Sequence, residues 1–424
     1  MMKESKYNYY ITLDSNQDVI FNGRTKRFFR VSKKNSSRFK EILKDPDSYF
    51  ERYKPFLLRM QDEGFVLSDD VDEYALIQDL YKQALQPNSC KLLILPTYQC
   101  NVRCWYCTQN HRDMRMDANI MSRLKKHIEK ILKQHKEITN LHISWFGGEP
   151  MLEYDTIIEV TEFAKELCKR CRVTFSAGIT TNGLLLDKEK IQKFRDLSIY
   201  HYQITIDGPR MQHNKVKQPY VGSAFDTTVN NIKWIAELVP EASINLRINY
   251  TAKTDTDRII EDVNSIIPSR LRKCITISPR KVWQVDNAQI PQETLSKLRG
   301  IGKSFSYNYD GFTMGQCYVE GVYFETIYSD GHVGKCDNDD MNDAKGMLTE
   351  DGDVKWDSEY LFTRKTVLDP KAQCVTCKHL PICWGPCPRR REAMIESGKE
   401  ITCTVPNIEN EAKEFILNYI ASLT

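Results

Sequence analysis

Apolar positions in the first third of the chain come in short runs set off by turn residues. Tyr9–Leu13 and Val19–Phe21 are expected as strands around the turn Asp14-Ser-Asn-Gln17, with Arg27–Val31 as a third strand after Asn22-Gly23. The apolar period then lengthens to that of a helix. Ser36-Ser37 is expected to cap a helix through Leu43, and Asp47-Ser48 another that carries Phe50, Tyr53, Phe56, Leu57 and Met60. Gly64 ends it, Phe65–Leu67 follows, and Tyr74–Leu85 is a further helix stopped by Pro87. From 89 to 300 strand and helix patterns alternate. The expected strands are Leu92–Leu95, Leu141–Trp145, Thr174–Thr180, His201–Ile206, Ile244–Tyr250 and Cys274–Ser278, separated by helices such as Ile120–Leu132, Ile157–Cys168 and Thr227–Leu238. Such alternation implies a parallel sheet with right-handed crossovers.

Charge and composition narrow the classes. A net charge of +3 on 424 residues makes no general case for nucleic acid or membrane. No apolar run approaches the roughly 18 residues of a spanning helix, and the start, Met-Met-Lys-Glu-Ser-Lys-Tyr, lacks an apolar signal core. The chain is therefore expected in the cytoplasm, where thiols stay reduced. There the fourteen cysteines ask for metal rather than disulfides. Cys168 and Cys171 fall in a helical stretch and are expected to hold no metal; Cys90 and Cys274 are expected as small buried hydrophobes.

Three cysteines, Cys100, Cys104 and Cys107, follow the apolar run Leu92–Leu95 with spacings of three and two residues. A cubane iron–sulfur cluster has four irons; three thiolates this close can hold three of them and leave the fourth open to a small molecule. Zinc is the alternative, but its sites pair two hooks and no second hook is near in sequence. The CxxxCxxC pattern, with Trp105 and Tyr106 beside the last cysteine, resembles the radical S-adenosylmethionine (radical SAM) superfamily. The resemblance implies a partial (β/α)6 TIM barrel, a [4Fe–4S] cluster whose open iron chelates SAM, and reductive cleavage of SAM to a 5′-deoxyadenosyl radical. It also implies a reductant such as flavodoxin or ferredoxin.

The expected strand ends carry the rest of the resemblance, where chemistry gathers in such barrels. Gly147-Gly148-Glu149-Pro150 is similar to the family's GGEP motif, where glycines permit close backbone approach and a carboxylate or carbonyl meets the SAM ammonium. Thr180-Thr181-Asn182-Gly183 resembles the T-N-G segment near SAM. Thr205-Ile-Asp207-Gly208-Pro209, then His213-Asn214, resembles S-x-D-G-P with H-D; Thr replaces Ser and Asn replaces Asp. Arg247 and Asn249 alternate on one strand face, where they can bond the SAM carboxylate or ribose or make structural contacts in the barrel mouth. With Tyr106, these residues form the expected SAM site.

Seven further cysteines lie in 301–424, in the pattern C-x13-G-x4-C, then C-x2-C-x5-C-x3-C, then one more. With Ile382-Cys-Trp-Gly-Pro-Cys-Pro388 this resembles the SPASM domain of radical SAM enzymes, which carries auxiliary clusters. The resemblance implies an outer [4Fe–4S] cluster on Cys374, Cys377, Cys383 and Cys403, and an inner one on Cys317, Cys336 and Cys387 that is either completed by a distant group or left with one open iron. That makes three clusters in all. Asp337, directly after Cys336, resembles the base of anaerobic sulfatase-maturating enzymes. The N-terminal strands and helices suggest a winged-helix-like α+β module that resembles the recognition element of enzymes acting on ribosomally made peptides. It implies β-augmentation by a leader peptide; a structural cap, or a winged helix binding nucleic acid through the basic stretch Arg24–Lys34, are the alternatives. The expected domains are 1–88 for leader recognition, 89–300 for the barrel and 301–424 for the loop-rich SPASM domain. The expected function is a radical SAM peptide maturase that installs a thioether or carbon–carbon crosslink. A formylglycine-generating enzyme and an iron–sulfur DNA-binding regulator are the rivals.

Overall fold

The computed structural model describes residues 1–85, 88–285, 290, 292–306, 312, 315–336, 344–357, 368 and 372–423. Packing divides the chain into two units: Met1–Gln86, Tyr309–Glu320 and Thr363–Thr424 in the first, Pro87–Asn308 and Gly321–Phe362 in the second. Packing thus groups the N-terminal stretch with much of the cysteine-rich C-terminal stretch. No helix among the described residues is long and apolar enough to cross a membrane.

In the first unit β1 (Met2–Glu4) pairs with β5 (Val66–Ser68), and β2 (Asn8–Thr12), β3 (Gln17–Asn22) and β4 (Phe28–Ser32) form an antiparallel sheet. The helices are α1 (Lys33–Lys44), α2 (Pro46–Asp62) and α3 (Glu73–Ala84). Two helix starts lie earlier than the Ser and Asp-Ser pairs suggested. Ser32 precedes α1 without a side-chain cap, and Asp45, accepting from the Ser48 N–H, caps α2 with Pro46 in its first turn. Pro46 favours that first turn, where a missing N–H costs nothing. The period-2 alternation of β3 shows why this sheet is covered twice. Ile20 packs with Leu43, Leu57 and Phe65, whereas Val19 and Phe21 pack with Ile382, Phe415 and Ile416 from the C-terminal segment. That segment holds α11 (Leu380–Cys383), α12 (Pro388–Glu396) and α13 (Ile408–Leu423).

The second unit is built on one eleven-stranded sheet. Its parallel part begins with β6 (Ser89–Ile94), β7 (Asn140–Trp145), β8 (Thr174–Thr181), β9 (Ile199–Ile206), β10 (Ser243–Tyr250) and β11 (Ile275–Lys281) in spatial sequence. Between them run α4 (Ala118–Gln134), α5 (Tyr154–Cys171), α6 (Lys188–Asp196), α7 (Arg210–Val216), α8 (Ala224–Leu238) and α9 (Thr256–Asn264), with α10 (Gln292–Ser296) following β11. This is an α/β architecture with a partial, barrel-like parallel sheet, and all six expected strands are present. The sheet is longer than the six strands expected. Past β11 it gains the short parallel β12 (Ser304–Phe305); beyond β6 it gains β13 (Tyr323–Ile327), parallel to β6, then the antiparallel β14 (His332–Gly334), β15 (Gly346–Leu348) and β16 (Val354–Trp356).

The strand alternation creates the site. Ile143, Trp145, Ile179, Ile204, Ile206, Leu246 and Ile248 face the helices and are buried, each such side chain contributing roughly 2 kcal/mol. The residues between them, among them Ser144, Thr180, Gln203, Thr205, Arg247 and Asn249, line the opposite, concave face. Cys168 is a fully buried part of this core, Cys171 packs against it, and both lie on α5. Cys90 is fully buried; Cys274 is only half-buried.

A buried pair ties α4 to β13. His127 Nε2 lies 2.6 Å from Glu325 Oε2, and its Nδ1 lies 2.9 Å from the Gly352 carbonyl. Burial alone would lower His127, but the Glu325 carboxylate outweighs it and raises the imidazole. Burial likewise would raise Glu325, and His127 holds it low instead. A raised histidine stabilises below its unfolded value of 6.5 and loses that contribution as pH rises through the folded one. A lowered carboxylate stabilises above 4.5 and loses its contribution as pH falls. The pair is therefore expected to help most between these values. Glu325→Ala should cost roughly 3 kcal/mol near pH 6 and flatten the alkaline decline of the melting temperature. Equal alkaline slopes for wild type and variant, measured by circular dichroism, would refute this.

Candidate active site

The loop after β6 is shaped by its own polar groups. The Thr97 hydroxyl donates to the Met114 carbonyl (2.8 Å) and accepts from the Gln99 N–H (3.0 Å), which turns the chain back before the cysteines. Between the cysteines, Val102 is buried against Leu184 and Ala224 and plugs the loop into the fold. Asn101 Oδ1 accepts from Asn182 Nδ2 at 2.7 Å, and the Arg103 N–H donates to the Gln218 carbonyl at 2.7 Å. Cys107 N–H closes a turn onto the Cys104 carbonyl.

Cys100, Cys104 and Cys107 all face one cleft of about 340 Å³ at the carboxyl ends of the strands, within the size range of small-molecule sites. Tyr106, Gly147, Gly148, Thr181, Asn182, Thr205, Arg247 and Asn249 line the same cleft. Of the expected SAM site, only Glu149, Pro150 and Asp207 stand behind this lining. Glu149 is buried and spans the ends of β7 and β8. Its Oε1 accepts from the Thr181 hydroxyl (2.6 Å) and the Met151 N–H (3.1 Å), its Oε2 from the Asn182 N–H (2.8 Å). Burial pushes its pKa up despite those bonds. The two glycines have a nearer reason than ligand approach. A Cβ on Gly148 would stand 2.1 Å from the Gln99 carbonyl oxygen, and one on Gly147, at φ +128°, 2.4 Å from that of Thr97. The strand end is thus pressed against the cysteine loop, with Glu149 N–H donating to Gln99 O at 2.7 Å.

Asp207 anchors a second layer. It accepts from the Tyr106 hydroxyl and from Asn249 Nδ2 (3.0 Å), and it pairs with Lys217 Nζ at 3.0 Å. Burial alone would raise its pKa; the Lys217 ammonium and the carboxyl's other partners, such as the Tyr106 hydroxyl, together outweigh burial and hold it low. Burial pushes His213 down to about 3, so it is neutral and its Nδ1 accepts the Asp207 main-chain N–H. Arg247 Nε donates to Asn249 Oδ1 at 2.8 Å. Asn214 serves α8, accepting the Phe225 N–H at 2.8 Å. The cleft also takes in Lys217, Phe146, His111, Lys281, Val282, Trp283 and Gln284, none of which sequence reasoning singled out. Only position at a strand end hinted at Lys281 and its successors.

The donor set suits the implied cluster and cofactor: three thiols at one cleft, cationic and amide side chains opposite, and glycines that let the two loops meet. Among the described residues no three Cys, His, Asp or Glu side chains converge tightly enough to hold a single metal ion. In the first unit Cys374, Cys377, Cys383 and Cys403 line one cavity of about 260 Å³, walled by Leu380, Pro386, Val405 and Ile408. Burial pushes the Cys374 thiol to about 11 and Cys383 to about 12. Cys317 and Cys387 lie in that unit and Cys336 in the other. Asp337 lies outside the described residues.

Residues 94–263 match the family model described as the radical SAM superfamily. The chain is 23% identical over 381 residues to the radical SAM cyclopropyl synthase TigE of Paramaledivibacter caminithermalis, covering 77% of this chain and 74% of that protein. It is 23% identical over 165 residues to the Fe-coproporphyrin III synthase of Methanosarcina barkeri, covering 39% of this chain and 38% of that one. In fold it resembles anSMEcpe with bound AdoMet and Cp18Cys peptide (TM-score 0.52, 18% identity, 79% of this chain and 100% of that one). It also resembles Streptococcus suis SuiB bound to precursor peptide SuiA (TM-score 0.50, 16% identity, 96% and 99%).

Proposed function

We propose that this enzyme of the radical SAM superfamily modifies a ribosomally made precursor peptide, installing a thioether or carbon–carbon crosslink. The observation that carries the reading is the convergence of Cys100, Cys104 and Cys107 with Arg247 and Asn249 on one strand-end cleft. When bound there, the cluster and SAM supply one-electron cleavage of SAM to a 5′-deoxyadenosyl radical. The chain's own residues do the rest. Arg247 and Asn249 would offer donors to the SAM carboxylate or ribose, and carbonyls of the Gly147–Gly148 turn would accept from its ammonium. Glu149, its oxygens already engaged by Thr181, Met151 and Asn182, fixes the two strand ends. Phe146, Val282 and Trp283 supply apolar surface to the cleft wall. Cys374, Cys377, Cys383 and Cys403 are the residues that would hold an outer auxiliary cluster, with Cys317, Cys336 and Cys387 for an inner one.

A peptide substrate is supported by the likeness to structures that hold peptides, one of them reaching over 96% of this chain. The N-terminal sheet supports it as well. Both faces of that sheet are packed, while β2 and β4 have no strand neighbour on their outer edges among the described residues. An incoming strand can bond such an edge. The residues flanking β4 include Arg27 and Lys33, and Arg30 on the strand is exposed, which suits an acidic leader.

The test is anaerobic reconstitution with iron and sulfide, then SAM, dithionite and a peptide encoded beside the gene. Expected are 5′-deoxyadenosine and a peptide lighter by two hydrogens. Absence of 5′-deoxyadenosine, or conversion of a peptide cysteine to an aldehyde, would overturn the reading.

A further inference from the structure

Lys217 is a buried lysine that no motif points to. It ends α7, where its N–H donates to the His213 carbonyl at 3.0 Å, and only 3% of its surface is exposed. Its ammonium lies 3.0 Å from Asp207 Oδ2 and 3.6 Å from Cys104 Sγ. The next residue, Gln218, accepts the Arg103 N–H from within the cysteine loop. The segment is therefore fixed to that loop by one main-chain and one side-chain contact.

A buried ammonium is costly unless paired. Asp207 supplies the counter-charge; His213, neutral, does not. Were this the whole role, the ammonium need not face a cysteine. It does face one. The ammonium is in direct contact with the Cys104 sulfur at 3.6 Å, while Asp207 holds it at 3.0 Å. Hydrogen bonds and charges at cluster sulfurs set reduction potentials. Reduction adds one negative charge to the thiolate–iron unit, and a fixed cation in a water-poor pocket favours the reduced form.

We propose that Lys217 is a positioning residue for the radical-initiating cluster. It donates a charge-assisted hydrogen bond to the Cys104 thiolate and raises the cluster's reduction potential, while Asp207 holds its ammonium in place and partly offsets its charge. This rests on the reading that Cys100, Cys104 and Cys107 hold the cluster.

The two charges predict shifts of opposite sign, which a purely structural ion pair does not. The measurement is an anaerobic redox titration of the reconstituted full chain without peptide, followed by electron paramagnetic resonance. The signal that changes when SAM is added identifies this cluster among any others. Lys217→Met should lower its potential, making the reduction equilibrium about tenfold less favourable, or about 59 mV for one electron. Asp207→Asn should raise it. Lys217→Arg, which keeps the cation, should stay closer to wild type than to Lys217→Met. A SAM-sensitive signal whose potential is unchanged in Lys217→Met, or shifts of the same sign in both variants, would overturn the proposal and leave the cluster assignment standing. Should Lys217→Met fail to keep its cluster, Asp207→Asn decides: a negative or absent shift overturns the proposal. Absence of any SAM-sensitive signal in the wild type overturns both.

Discussion

Cys104→Ala is expected to abolish 5′-deoxyadenosine formation and to lower the iron content by about four per chain, the complement of one cubane cluster. The middle cysteine of the three faces the cleft between strand ends. No other described cysteine lines that cleft besides Cys100 and Cys107, so none is placed to replace it. The fold should survive. The loop is seated by Val102 and by the Thr97, Gln99 and Asn101 bonds, none of which uses the Cys104 sulfur. An unchanged circular-dichroism melt beside lost turnover and lost iron is the expected result. Turnover near the wild-type rate would remove the cluster from this site.

Arg391→Ala should have the largest effect on stability. Arg391 Nη2 lies 2.6 Å from Glu320 Oε1, with side chains 4% and 9% exposed, and the Tyr81 hydroxyl reaches the same oxygen at 3.2 Å. Removing the guanidinium strands a carboxylate out of water, at a cost of about 4 kcal/mol. The main chain adds to the consequence. The Arg391 N–H donates to the Cys387 carbonyl and the Glu320 N–H to that of Cys317, each at 3.0 Å. The pair thus links the turns that carry two expected ligands of the inner cluster. A lower melting temperature and lower iron retention are expected for Arg391→Ala. Glu320→Gln combined with Arg391→Met should recover much of the stability, because no buried charge is left. Equal melting temperatures for wild type and Arg391→Ala would show that the pair contributes nothing.

The candidate site was legible in part, and the division is physical. Cysteine spacing is a local property, so the three cleft thiols could be grouped by interval, whereas the set Cys374, Cys377, Cys383 and Cys403, which skips Cys387, came only from the resemblance. Arg247 and Asn249 were legible for a related reason: alternation along a strand tells which residues share a face, whereas the other strand-end motifs were legible through the resemblance. Glu149 shows where this runs out. Its place in GGEP suggests a ligand contact, and nothing local suggests that its oxygens also accept from Thr181, Met151 and Asn182. Only the approach of two strand ends decides that. The earlier start of α2 has a smaller cause: Asp45 and Pro46 compete with the Asp47-Ser48 pair for the cap, and local preference alone does not rank them.

Sequence alone determined the α/β alternation, the apolar face of the barrel strands and the closeness of Cys100, Cys104 and Cys107, because each depends on neighbours within a few residues. Tertiary structure decided the rest. Lys217 reaches Cys104 across 113 positions, and His127 meets Glu325 across 198. The strand Tyr323–Ile327 joins the sheet beside β6, and the C-terminal segment covers one face of the N-terminal sheet. Pairings at such separation are selected by burial and charge compensation in the folded chain, and no local pattern of residues records them.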